Sequence, residues 1–152
     1  MSGIINFPGA RSGVISSGGI GYEEGTWVAS MTTTATDFTT AGRGTGGFYV
    51  KIGDLVTVYA DISITNPTSG TGNFIVSGLP FACRANHYVV GSASFGRIDG
   101  LSTYGSFAYL SAGTTYIQFQ TNNDGGVLGQ ITASHLNGNT TPYMTLSMNY
   151  LA

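Results

Sequence analysis

The chain has 152 residues, 41% of them apolar, and a net charge of −2 from five basic and seven acidic side chains. That length predicts one domain with its own hydrophobic core, burying about 68–70% of the unfolded surface. Charged residues make up only 8%, and the five cations, Arg11, Arg43, Lys51, Arg84 and Arg97, are scattered along the chain, which excludes a phosphate-binding surface for nucleic acid.

With ordinary soluble domains near ~25% charged, an exterior this poor in charge must be neutral-polar or covered by another chain. No apolar run reaches the roughly 18 residues that would span a bilayer, so no membrane insertion is expected. The opening Met1-Ser2-Gly3-Ile4-Ile5-Asn6-Phe7-Pro8 lacks the basic-then-apolar order of a secretory signal. Cys83 is the sole cysteine, which rules out an intrachain disulfide and predicts a small buried hydrophobe.

Residues 1–21 read as an extended N-terminal arm. Six glycines interrupt short apolar pairs there, and no period is sustained. Ile4, Ile5, Phe7, Val14 and Ile15 are its candidate anchors for docking on a neighbouring protein, because such side chains are poorly suited to a free tail.

From residue 22 to 152 the pattern is that of a single β domain. Strands are predicted over Thr26–Met31, Phe48–Lys51, Leu55–Thr65, Asn73–Ser77, His87–Phe95, Tyr104–Leu110, Thr115–Gln120 and Tyr143–Leu151. The clearest alternation sets Val56, Val58, Ala60, Ile62 and Ile64 against Leu55, Thr57, Tyr59, Asp61 and Ser63. The last strand sets Met144, Leu146, Met148 and Tyr150 against Tyr143, Thr145, Ser147 and Asn149. Trp27 alternates with Ala29 and Met31 and is expected in the core. Turn residues at Gly53-Asp54, Asn66-Pro67, Gly70-Thr71-Gly72, Asp99-Gly100 and Asn122–Gly126 separate the strands. No ten-residue stretch holds a helical period. The expected fold is an all-β antiparallel sandwich, jelly-roll-like.

Little in the sequence carries chemistry. Gly42-Arg43-Gly44-Thr45-Gly46-Gly47 has the glycine spacing of a dinucleotide fingerprint, but it runs into a strand rather than the helix that would hold a pyrophosphate, and reads as a flexible loop. Glu23 and Glu24 point to opposite faces of an extended segment and cannot form a facing acid–base pair. His87 and His135 stand apart, outside any metal-ligand spacing. No catalytic residue, metal or cofactor is predicted. On the strand Thr115–Gln120, Ile117 and Phe119 would face the core. Tyr116, Gln118 and Gln120 would face outward, near Tyr104, Asn122 and Asn123. Tyrosines with neutral amides suit contact with a glycan or a neighbouring subunit.

Three stretches in order, Tyr22-Glu23-Glu24-Gly25-Thr26-Trp27, Gly47–Val56 and Val76-Ser77-Gly78-Leu79-Pro80-Phe81, resemble the β-rich distal domains of bacteriophage tail fibres and tailspikes and related small virion proteins. The resemblance covers roughly residues 22–81, and the tyrosine-containing strand Tyr143–Leu151 agrees with it. It implies a compact β domain, usually a homotrimer, on the exterior of the virion and often used for host attachment. The motif residues look structural, so no catalytic or receptor site is carried over. The expected function is therefore a non-enzymatic virion structural protein, a trimeric fibre or spike knob contacting the host surface, with the arm binding other virion proteins. The alternatives are a capsid decoration (cement) protein that staples capsomers through its arm, and a non-viral carbohydrate-binding module.

Overall fold

The structure, a computed structural model, describes residues 21–99, 106–122 and 128–152. The arm residues Ile4, Ile5, Phe7, Val14 and Ile15 lie outside them. Among the described residues there are eleven strands: β1 (Tyr22–Trp27), β2 (Ser30–Thr33), β3 (Gly42–Gly44), β4 (Gly47–Ile52), β5 (Leu55–Thr65), β6 (Phe74–Ser77), β7 (Val89–Gly96), β8 (Ser106–Leu110), β9 (Tyr116–Asn122), β10 (Leu128–Gln130) and β11 (Tyr143–Leu151). One 3₁₀ turn, Ala133–His135, precedes β11. The fold is all-β, and every strand pairing is antiparallel.

The spine is the pair β5–β11, in register from Leu55↔Leu151 to Ser63↔Tyr143. Both strands alternate cleanly, and both expected inward sets are buried: Val56 through Ile64 on β5, Met144 through Tyr150 on β11. Alternation of this strictness fixes register, because a one-residue slip would turn every inward side chain to water. From the spine, hydrogen bonding runs unbroken along β1-β4-β5-β11-β7-β8-β9-β6-β2, with β3 added to β5 and β10 to β9.

The sequence suggests a jelly-roll-like sandwich; the structure shows instead one curled antiparallel sheet, a half-barrel. β7 makes the corner by changing partner within its own length. Val89–Gly91 pair with β8, and Ser92–Gly96 pair with β11. A strand that changes partner in this way needs a bend where backbones approach closely. Gly91 stands at the switch, where a Cβ would lie 2.9 Å from the Ser147 carbonyl oxygen. The curl brings the inner faces together around Phe119, whose ring lies 5.1 Å from Phe74 and 5.4 Å, edge-on, from Phe95. These centroid separations are those of favourable aromatic pairs.

The two ends of the strand path are consecutive in sequence. β1 ends at Trp27 and β2 begins at Ser30, so the chain crosses from one edge of the curled sheet to the other over Val28 and Ala29. Among the described residues no ladder joins β1 to β2, and the curl is open there. Trp27 is buried at this crossing, as expected, with its Nε1 donating to the Tyr59 carbonyl at 3.2 Å. On the same open side, the Gly42–Gly47 motif is not a loop: Gly42–Gly44 form β3, paired with Ser63–Thr65 of β5. Arg43 reaches from β3 to the edge strand β2. It donates to the Met31 carbonyl, to Phe38 O at 3.4 Å and to Asp37 Oδ2 at 2.7 Å.

Arg43 therefore ties β3 to the Met31 and Phe38 carbonyls. Its replacement by methionine is expected to cost about 1–3 kcal/mol, the price of stranding such acceptors. Asp37→Asn, on a half-exposed carboxylate, is expected to cost less than about 1 kcal/mol. Urea unfolding of the two variants checks the order; equal losses would mean that the ion pair, not the carbonyl contacts, is what matters.

Two acids are buried with the core. Cys83 is buried, as expected, and its Sγ lies 3.7 Å from the His87 carbonyl; burial pushes its thiol pKa up. Tyr150 donates its hydroxyl to the Phe81 carbonyl at 2.9 Å, and burial raises its phenol well above the ordinary range. Both groups hold their protons more tightly folded than unfolded. Their contribution is complete below the unfolded thiol pKa of about 8.5 and declines as pH rises beyond it. Unfolding midpoints are expected to fall steadily between about pH 8.5 and 11, and a flat profile would contradict this burial.

Candidate assembly and binding surface

Each half of the curled sheet presents one outer face, and the strand registers place side chains on it in rows. On the second half, one row runs Ile75–Gln118–Tyr109–Val90 across β6, β9, β8 and β7. The next runs Gln130–Gln120–Phe107 across β10, β9 and β8. Tyr116 stands opposite Ser77, itself opposite Ser30. Tyr88, just before β7, stacks on Tyr109 with centroids 6.0 Å apart and planes 13° from parallel.

The site residues expected from sequence fall here in part. Tyr116, Gln118 and Gln120 share the outer face of β9, half-buried, and Asn122 is exposed at its end. Ile117 and Phe119 are buried on the other side, as the alternation predicts. Tyr104 and Asn123 lie outside the described residues. Sequence reasoning missed Tyr109, Phe107 and Gln130, which only strand order brings beside β9. The Oε1 of Gln130 is buried without a hydrogen-bond partner, so this amide row holds an acceptor that folding has not satisfied.

The outer face of the first half is the more apolar one. Tyr22, Phe48, Ile52, Leu55, Tyr59 and Tyr143 are all exposed and all lie on it. Phe48 and Tyr59, cross-strand partners, stack with centroids 5.0 Å apart. Beside Tyr59 runs a shallow trough lined by Ser92, Ser94, Thr145 and Ser147. The charges on this face are both acidic: Glu24, which accepts from the Tyr22 hydroxyl, and Asp61, in the row of Thr145 and Ser94. The signal was present in the sequence, since Leu55 and Tyr59 share the otherwise polar face of β5.

The remaining chemistry-bearing residues are held in local structure. Glu23 takes the Tyr49 hydroxyl at 2.6 Å, on the face of β1 opposite Glu24. Asp54 pairs with Arg84. His135 Nδ1 accepts from the Thr132 amide at 3.2 Å, and His87 Nδ1 lies 3.2 Å from the Ala85 carbonyl. Among the described residues, no three His, Cys, Asp or Glu side chains come together as a metal site.

Set beside solved structures, this architecture is similar to part of the Dettilon tailspike protein. The TM-score is 0.67 at 13% sequence identity, over 86% of this chain and 24% of that one. The chain thus has a tailspike-like fold and spans about a quarter of that protein's length. No protein-family model matches the sequence, and no curated protein matches it.

Proposed function

We propose that this chain is a non-enzymatic structural protein of a bacteriophage tail, forming a homotrimeric fibre-tip or spike-like knob on the exterior of the particle. Its residues 1–21 dock on other virion proteins, and its outer surface contacts the host, with a glycan as the target that the tyrosine and amide rows suit. The observation that carries this reading is the fold, similar to part of a tailspike over 86% of the chain. The distribution of charge supports it. β2 and β6 through β11 contain no Lys, Arg, Asp or Glu at all. Sheet faces this poor in charge suit contact with another chain, since interface cores are depleted in charged residues, and subunits of a permanent assembly would supply that contact. Light scattering on the full chain after size exclusion tests the assembly. A mass three times the 15.7 kDa of one chain is expected at micromolar concentration, and a monomer there would refute the knob.

A further inference from the structure

We infer that two copies of the chain meet head to tail, the outer face of the first half (β1, β4, β5, β11) of one copy lying on the outer face of the second half (β6 to β10, with the start of β7) of the next. This deepens the homo-oligomer reading above and rests on it.

Three observations identify the surfaces. The first is the concentration of exposed apolar side chains. Six of them, including the stacked Phe48 and Tyr59, share the first face, and Tyr88, Val90 and Leu128 stand exposed on or beside the second. Contiguous apolar patches of this kind mark interaction sites. The second is size. The four strands, 6, 6, 11 and 9 residues long and about 4.8 Å apart, present roughly 500 Å² in projection, and more as accessible surface. A stable protein interface takes about 800 Å² from each partner, so the first face is of the right order for a protein.

The third is charge, and it decides the pairing. The first face carries the carboxylates of Glu24 and Asp61 with no base among its outward side chains. A two-fold contact of this face with itself would place four carboxylates in one interface. Like charges facing each other across a contact disfavour it by several kcal/mol in general. The second face has no charged side chain on any of its strands. It offers instead the hydroxyls of the stacked Tyr88–Tyr109 pair and the outward side-chain N–H groups of Gln118 and Gln120. Neutral hydroxyl and amide donors accommodate carboxylates where a second acidic face would not. A contact between two different faces is heterologous, the geometry from which rings are built.

Complementation between two variants tests this. In one, Leu55→Lys with Tyr59→Lys spoils the first face; in the other, Tyr88→Lys with Val90→Lys spoils the second. Every position is exposed, and a cooperative thermal transition confirms that each variant is folded; Tyr59→Ser and Val90→Ser serve should the lysines prevent folding. By sedimentation velocity each variant alone is expected to be monomeric at concentrations where the wild type is fully assembled, a weakening of at least about tenfold. An equal mixture is expected to give a one-to-one dimer, because one copy keeps its first face and the other its second. First-face variants that assemble as the wild type does would overturn the assignment of the surface while leaving the oligomer intact. Variants that are monomeric alone and remain so when mixed would overturn the head-to-tail pairing. A monomeric wild type would remove the homo-oligomer reading itself.

Discussion

Gly78→Ala is expected to destabilise the fold by about 3 kcal/mol or more. Gly78 follows β6 with a φ of +94°, and a Cβ there would stand 2.2 Å from the Val28 carbonyl oxygen. Two penalties combine. A side chain in left-handed backbone costs roughly 1–2 kcal/mol, and forcing an atom into occupied space costs about 1–3 kcal/mol more. The contact cannot relax cheaply, because Val28 belongs to the two-residue crossing between β1 and β2, the ends of the curled sheet. Moving that carbonyl moves the buried Trp27 and Ala29 on either side of it. Urea unfolding gives the number directly, and a loss below about 1 kcal/mol would show that the crossing is not tight.

Trp27→Ala carries the other large effect, about 3–5 kcal/mol. The indole is buried where β1 meets β4, directly over Gly47, and its N–H is matched to the Tyr59 carbonyl. Truncation opens a large cavity and strands that carbonyl together. Trp27→Phe retains most of the volume and is expected to lose about half as much. Since Trp27 is the only tryptophan, both losses are read by circular dichroism. Equal costs for the two variants would assign the whole effect to the hydrogen bond rather than to packing.

Much of this fold was legible because burial and alternation coincide on the long strands. β5 and β11 each bury one face throughout, so the period of two named their inward residues correctly. The same logic misled at Thr26–Met31, which reads as a single strand. Trp27, Ala29 and Met31 are all buried, so the alternation continues straight through the point where the chain leaves β4 and joins β6. A period reports which side faces the core, not which strand is the partner. The corner in β7 was hidden for the same reason, since Val89–Gly91 and Ser92–Gly96 differ only in their neighbours. β3 escaped notice because a glycine-rich segment of three residues has no alternation to read, and its place is fixed by β5 rather than by its own composition.

The candidate surface was legible only along single strands. Tyr116, Gln118 and Gln120 fall on one face because they alternate on β9, and that much needed no structure. Their neighbours Tyr109 and Phe107 come from β8 and Gln130 from β10, and strand order alone joins them. The apolar face of the first half draws on β1, β4, β5 and β11, separated by up to 120 residues of sequence. Each contributes one or two exposed apolar side chains, unremarkable singly, and the patch exists only once the strands lie side by side.

The role proposed for this chain is that of a structural part of a phage tail. Electron microscopy of particles that carry it, labelled with antibody raised against the full chain, tests that most directly. Label at the distal end of the tail is the expected result. Label distributed over the capsid shell, or confined to infected-cell lysate and absent from purified particles, would contradict it.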